Sequence, residues 1–262
     1  MNLPYLQKTL SLLKYCKPTK SLMIKAFAFD LFGTLVDLKS ISKVFSKINI
    51  KINNLMLFTE MWQLKQLQYA WLLNFTNGYD PFSELSIHAL KFTARLFGLS
   101  LSDEQISKLS EAKLNLDPFP DSKKGLEKLN EARRRRKTAG KEGEVSVDFI
   151  LLSNGEAHKS NILLSNSHLR KYFDYIISAE EVRKYKPSPE PYLLISKNLN
   201  LQISQISLVS SHLWDIAGAK SVGMQTCWIN REDKKTNEEI NVKPDYIFSS
   251  VEDMGDNLSI TL

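Results

Sequence analysis

Cysteine is scarce in this 262-residue chain. Cys16 and Cys227 are too few for a disulfide framework or a thiolate zinc site, and they fit a reducing, intracellular compartment. Glycine and proline are sparse as well, at 10 and 9 residues, which excludes a collagen-like or low-complexity chain. No uninterrupted apolar run approaches the roughly 20 residues needed to cross a bilayer, so a membrane-spanning protein is excluded. What is present, 43% apolar and 24% charged residues, suffices for a full core in one large domain or in a main domain with an inserted satellite.

The net charge of +6 is local in origin. Lys8, Lys14, Lys17 and Lys20, together with the run Arg133 to Lys137, hold nine of the 35 basic residues. Setting those aside leaves 26 against 29 acids. The remainder is slightly acidic, which speaks against a nucleic-acid partner. The lysine-bearing segment 1–22 reads as a surface extension, as residues ahead of a functional start at Met23, or as a targeting segment. Its lack of arginine gives little support to a mitochondrial address, so a cytoplasmic location is expected. The basic run itself reads as a helix end entering a loop over 133–148, with a nuclear-localisation or anion-binding patch as the sharper alternative.

Short apolar runs punctuate the chain: Ile24 to Phe29, Phe149 to Leu152, Tyr175 to Ile177, Ile206 to Val209, Thr226 to Ile229 and Tyr246 to Phe248. Helical stretches lie between them at Lys123 to Arg136, Glu156 to Leu169, Pro189 to Leu199 and Leu213 to Val222. This alternation predicts an α/β fold with a doubly wound, mainly parallel sheet. Between about Ser40 and Leu114 strands are missing. Amphipathic patterns such as Trp62…Leu64…Leu67…Trp71 and Leu85…Ala89-Leu90…Ala94 predict an inserted all-helical subdomain there. The expected organisation is an extension (1–22), an α/β core (23–38 and 115–262) and a helical cap (39–114).

In an open parallel sheet ligands gather beyond the carboxyl ends of the strands. The first run ends in Asp30, the second in Ser153-Asn154-Gly155 and the fourth in Ser210-Ser211-His212. A carboxylate, hydroxyls, an amide and an imidazole are thus delivered to one edge. His88, His158 and His168 show no metal-ligand spacing and read as surface or packing residues.

These residues also resemble a known family, the haloacid dehalogenase superfamily, in its (S)-2-haloacid dehalogenase (type II) branch. The matching segments are Phe29-Asp30-Leu31-Phe32-Gly33-Thr34-Leu35-Val36-Asp37, Leu152-Ser153-Asn154-Gly155, Tyr185-Lys186-Pro187 and Ser210-Ser211-His212-Leu213-Trp214-Asp215 with Gly218-Ala219-Lys220. Trp62 to Leu72 and Cys227 to Arg231 extend the likeness, which runs from Met23 to about Asp253.

The resemblance implies that Asp30 attacks C2 of a 2-haloacid, giving an aspartyl ester that water hydrolyses. It implies that Lys186 keeps Asp30 ionised, that Thr34 and Ser210 orient its oxygens, and that Asp215 with His212 handles the water. The Leu31 and Phe32 amides with the Ser153 hydroxyl would hold the substrate carboxylate, and Asn154 the departing halide. Leu67, Phe82 and Trp214 would form an apolar pocket, with Tyr192 in support; for Leu67, plain helix packing demands the same inward side chain. No metal or cofactor is implied. The partner is a small 2-haloacid or related anion, and a homodimer is possible by analogy.

Two departures stand out. The superfamily's phosphatases carry a second aspartate two places after the first, where this chain has Phe32. That argues against a magnesium-dependent phosphatase using Asp30 and Asp215. Type II enzymes carry a cap arginine where this chain has Gln63, so the halide would meet a neutral donor. That difference keeps open a weakly active or non-catalytic relative. His212 stands where many members have asparagine.

Overall fold

The computed structural model describes residues 23–48, 50–139, 147–231 and 242–258. The segment 1–22 with Cys16, the residues 140–146 of the basic loop and the side chains of 136–139 lie outside the described residues.

The first element among the described residues is β1 (Ala26–Phe29), followed by four helices, α1 (Ser42–Lys47), α2 (Leu55–Thr76), α3 (Phe82–Leu96) and α4 (Asp103–Ala112). Next come α5 (Pro120–Ala139), β2 (Asp148–Ser153), α6 (Ala157–Asn166), β3 (Tyr175–Ser178) and α7 (Pro189–Leu199). The last elements are β4 (Ile206–Ser210), α8 (Leu213–Ser221), β5 (Gln225–Ile229), β6 (Tyr246–Phe248) and α9 (Val251–Leu258). The six strands are parallel throughout and ordered β3-β2-β1-β4-β5-β6, a doubly wound sheet with β1 at its centre.

Period-two alternation within β1 explains the layering. Phe27 and Phe29 point to one face, where they meet Phe149 and Phe173 edge-on and share a core with Leu126 and Leu129 of α5, Leu163 of α6 and Met254 of α9. Ala26 and Ala28 point to the other face, against Ile195 of α7 and Ile216 of α8. Helices on both faces account for the continuous apolar character of these strands.

Element boundaries differ from the sequence reading by a residue or a turn, for local reasons. Pro120 sits at the first turn of α5, where its missing N–H costs nothing, and this starts the helix ahead of Lys123. Helix α6 stops at Asn166 because His168 adopts a left-handed φ of 60°.

Helices α1 to α4 form one block between β1 and α5. Asn54 caps α2 by accepting the Leu57 N–H at 3.0 Å, and Ser102 with Gln105 forms a capping box on α4. Two bonds join α2 to α3: the Trp62 indole donates to the Ser86 carbonyl at 2.8 Å, and the Gln66 amide donates to the Phe82 carbonyl at 2.8 Å. The block rests on the sheet edge through α2. Trp71 donates to the Lys186 carbonyl at 3.2 Å, and Asn74 exchanges bonds with the Tyr185 carbonyl and amide at 2.7 and 2.9 Å. No described helix is long and apolar enough to cross a membrane.

Arg133 of the basic run belongs to the core. It pairs with Asp174, donates to the Tyr172 carbonyl and lies 4.3 Å over the Phe149 ring.

Helices α5 and α9 approach so closely at Gly125 that an added Cβ would lie 2.2 Å from the Val251 carbonyl oxygen. A helical glycine-to-alanine change gains about 1 kcal/mol from propensity alone. Gly125→Ala is nevertheless expected to destabilise by about 1–3 kcal/mol through overpacking, seen as a lowered Tm in thermal unfolding.

Candidate active site

Asp30 leaves the carboxyl end of β1 with its amide bonded to the Val209 carbonyl at 2.9 Å. The chain then turns within five residues. Leu35 and Val36 both donate to the Leu31 carbonyl, and Gly33 takes φ +80°, a conformation that favours glycine. The turn brings Thr34 back over the strand end, and its hydroxyl donates to Asp30 Oδ2 at 2.7 Å.

Lys186 enters from the loop before α7. Its ammonium donates to Asp30 Oδ1 at 2.8 Å, to Asp215 Oδ2 at 2.8 Å and to the Leu152 carbonyl at 3.3 Å, using its three hydrogens. Asp215, in the first turn of α8, is fully buried, and its second oxygen accepts the Tyr192 hydroxyl at 2.6 Å. Burial, the largest single influence, pushes the Asp30 carboxyl up, and the Lys186 charge is the largest influence against it. His212 and the Lys186 and Thr34 hydrogen bonds add to that pull and leave Asp30 below its ordinary range. Lys186 is in turn held above its usual value: burial acts against the charge, and Asp215 with Asp30 overcomes it. Burial and the Asp215 charge raise the Tyr192 phenol, so it stays protonated and donating.

Above this row a crevice of about 290 Å³ opens between the sheet edge and the helical block. Asp30, Phe32, Asn154, His212 and Trp214 line it from below, and Gln63, Leu67 and Phe82 line it from the block. Asn154 accepts the Lys186 amide at 2.8 Å through Oδ1, which leaves its NH₂ without an acceptor among the described residues. Ser153 Oγ accepts the Gly155 amide at 3.0 Å and keeps its own hydrogen to give. The Leu31 and Phe32 amides find no acceptor among the described residues, although Leu31 is 0% exposed. Buried N–H groups without partners are rare in folded proteins, and these two directly follow Asp30 in the chain.

Thus Asp30, Thr34, Lys186, Asp215, Tyr192 and Asn154 form one hydrogen-bonded cluster, with Leu31, Phe32 and Ser153 next to its members in the chain. Ser210 departs from the expectation. Its hydroxyl accepts the His212 amide at 3.2 Å, capping the turn into α8, and no bond joins it to Asp30. His212 lies 3.8 Å from Asp30 Oδ2 and stacks on Trp214. Its Nε2 faces the Phe32 carbonyl at 2.8 Å. A carbonyl only accepts, so this nitrogen carries a hydrogen and is committed to the loop. Asp215, sealed from solvent with both oxygens engaged, is placed to hold Lys186 rather than a water. Gln63 faces the crevice, and its amide makes no hydrogen bond among the described residues.

Two supports were not evident beforehand. The Ser211 hydroxyl donates to the Gly33 carbonyl at 2.9 Å and lies 3.2 Å from Thr34 Oγ1, and its amide donates to Thr34 Oγ1 at 2.9 Å. Arg231 donates to the Thr34 carbonyl at 2.7 Å while paired with Asp121. Both act on the Gly33–Thr34 turn across separations of 177 and 197 residues, for which sequence spacing carries no signal. His88, His158 and His168 are exposed, and no three metal-capable His, Cys, Asp or Glu side chains converge among the described residues.

A model of the haloacid dehalogenase-like hydrolases matches residues 24–223. The chain is 36% identical over 235 residues to the (S)-2-haloacid dehalogenase of Pseudomonas sp. (strain YL), covering 87% of this chain and 91% of that protein. It is 32% identical over 235 residues to (S)-2-haloacid dehalogenase 2 of Pseudomonas sp. (strain CBS-3), covering 88% and 94%. The structure of L-2-haloacid dehalogenase from Xanthobacter autotrophicus with chloropropionic acid covalently bound superimposes with a TM-score of 0.78 at 25% identity, covering 90% of this chain and 98% of that one.

Proposed function

Since the chain belongs to the haloacid dehalogenase-like hydrolases, we propose that it converts short (S)-2-haloacids to (R)-2-hydroxyacids through an ester on Asp30. The observation that carries this reading is the pairing of Asp30 with Lys186 at 2.8 Å on the wall of a largely apolar crevice. A nucleophilic carboxylate must be ionised yet poorly hydrated, and a buried ammonium meets both needs. The covalently bound chloropropionic acid of the Xanthobacter enzyme and the names of the two Pseudomonas relatives agree with it.

In this scheme an Asp30 oxygen attacks C2 from the side opposite the halogen. The carbon–halogen bond breaks and halide departs with the electron pair, inverting the carbon. The Leu31 and Phe32 amides and the Ser153 hydroxyl hold the substrate carboxylate, which explains why those donors have no protein acceptor. The Asn154 NH₂ and the Gln63 amide face the departing halide. Water then adds to the ester carbonyl carbon and expels the hydroxyacid, so each cycle consumes one water and releases one halide and one proton. Thr34 and Lys186 fix the carboxylate, Asp215 and Tyr192 fix Lys186, and His212 fixes the Phe32 carbonyl. Leu67, Phe82 and Trp214 exclude water. Neither a metal nor a cofactor enters: Lys186 lies between Asp30 and Asp215, and Phe32 offers no proton to a leaving alcohol.

Assaying a panel of 2-haloacids and phosphate esters with and without EDTA tests this. Halide release from (S)-2-chloropropionate that is indifferent to EDTA, with (R)-lactate as product, is expected. Phosphate release that EDTA stops and magnesium restores would overturn it.

Gln63 favours a second reading, a slow enzyme. Removing a preorganised donor to developing negative charge costs on the order of 10²–10³ in rate, and an uncharged amide replaces only part of an arginine. Gln63→Arg is therefore expected to raise kcat for 2-chloropropionate by on the order of 10²-fold, measured as chloride release.

A further inference from the structure

The block side of the crevice carries a cation with no acid to balance it. Lys113, just after α4, lines the crevice with Asp30. Its ammonium donates to Gln66 Oε1 at 2.8 Å and to Ser86 Oγ at 2.6 Å, and lies 4.3 Å over the Trp62 ring. All three partners are neutral, and no salt bridge reaches it among the described residues. Gln66, which holds it, lies one turn along α2 from Gln63, so the two glutamines share a face. The ammonium therefore lines the same crevice as Gln63, the position that lacks a charge, and as Phe32 and Asp30 on the sheet side.

The acidic groups that line the crevice besides Asp30 are accounted for. Glu156 is taken by Lys159 and Ser83. Glu111 of α4 bonds Ser107 and, like Glu84 of α3, is exposed to solvent, where its charge is screened. A crevice of about 290 Å³ also exceeds what a three-carbon acid fills.

We infer that Lys113 is a second anion-binding position, and that the preferred substrates are short 2-haloacids bearing a second carboxylate at the far end of the chain. The inference rests on the dehalogenase reading for the first carboxylate and for the chemistry. The substrate would lie across the crevice, with C1 carboxylate on the Leu31–Phe32 turn, C2 over Asp30 and the distal carboxylate on Lys113. The reaction is unchanged: the C2–halogen bond breaks, the Asp30 ester forms, and water releases a 2-hydroxydiacid, halide and a proton. Burial brings Lys113 down to about 7 with no acid to offset it, so the free site is charged in acid and loses its charge as pH rises through neutrality. An anion seated there restores the proton, and an unmatched cation in an apolar setting gains most from such a ligand.

The test compares (S)-2-chlorosuccinate with (S)-2-chlorobutanoate, which has the same chain length but a methyl group at its end. In the wild-type enzyme at pH 6, kcat/KM is expected to favour chlorosuccinate by about 10- to 100-fold, the worth of one charge-assisted hydrogen bond, and the preference is expected to shrink at pH 8. Lys113→Gln should remove the preference by lowering chlorosuccinate turnover alone, with chlorobutanoate changed less than about threefold, and Lys113→Arg should keep most of it. No preference in the wild type, or equal losses on both substrates in Lys113→Gln with Lys113→Arg no better, overturns the inference. If neither substrate is turned over, the dehalogenase reading fails by itself. Calorimetry then still decides on Lys113: succinate binding more tightly than butanoate in the wild type but not in Lys113→Gln sustains the second site, and equal binding refutes it.

Discussion

Replacing Asp30 with asparagine is expected to lower kcat by a factor on the order of 10⁴–10⁶, the usual consequence of removing a covalent nucleophile. The amide oxygen can still accept from Lys186 in place of Oδ1, and the NH₂ in place of Oδ2 can donate to Thr34 Oγ1, so the fold should persist and Tm should move by only a few degrees. The chemistry cannot persist, because a neutral amide oxygen does not displace halide at carbon. Two readouts make this decisive. Halide release should fall to background, and mass spectrometry of the protein incubated with 2-chloropropionate should show no adduct. An Asp30→Asn protein that keeps a tenth of its halide release would show that another group strikes the substrate.

The second large effect concerns Lys186. It is 1% exposed and bonds two carboxylates that are themselves buried. Lys186→Met leaves Asp30 and Asp215 without their shared cation. Breaking a buried pair on one side typically costs about 3–5 kcal/mol, because the uncompensated charge stays behind. For a chain of this size that is a fall of about 10 °C in Tm.

The pH dependence should change sign as well. In the native protein the depressed Asp30 value contributes stability that is present above the ordinary carboxylate range and lost as pH falls through the lower folded value. Without Lys186, burial is opposed only by His212 and the Thr34 hydrogen bond, the Asp30 carboxyl rises, and acid should stabilise the variant relative to neutral pH. Turnover should drop on the order of 10³-fold, because the carboxylate is then partly protonated and its ionised fraction has lost the cation that orients it. Adding Asp215→Asn to Lys186→Met removes one of the two stranded charges. The double variant should regain part of the stability and none of the activity, which separates the structural role of the lysine from its role in holding Asp30 ionised.

Much of the fold was legible in the sequence because its strands are buried on both faces. Apolar runs such as Ala26–Phe29 and Ile206–Ser210 have no amphipathic alternation to confuse with a helix, and each ends at once in polar residues. The site was legible for the same reason: strand ends in a parallel sheet share an edge, so Asp30, Ser153 and Ser210 could be placed together before any coordinates. Where the reading failed, distance decided. Ser210 and Thr34 look equivalent in sequence, both hydroxyls near strand ends, yet only the tight turn at Gly33 folds Thr34 back onto the carboxylate. Ser210 points instead to the His212 amide. His212 looked like a partner for water, but its ring is turned to the Phe32 carbonyl by stacking on Trp214. Lys113 carried no signal, since a lysine after an amphipathic helix reads as solvated. Only the convergence of Trp62, Gln66 and Ser86 from α2 and α3 shows that it is held inside the crevice.

Turnover in H₂¹⁸O addresses the central claim most directly. If an Asp30 ester forms and water opens it at the carboxyl carbon, a single turnover with excess enzyme yields hydroxyacid whose new oxygen is unlabelled, drawn from Asp30. Repeated turnovers then load ¹⁸O into the peptide containing Asp30. Label appearing in the product hydroxyl on the first turnover, with none in that peptide, would mean that water attacks C2 itself and that Asp30 is not the nucleophile.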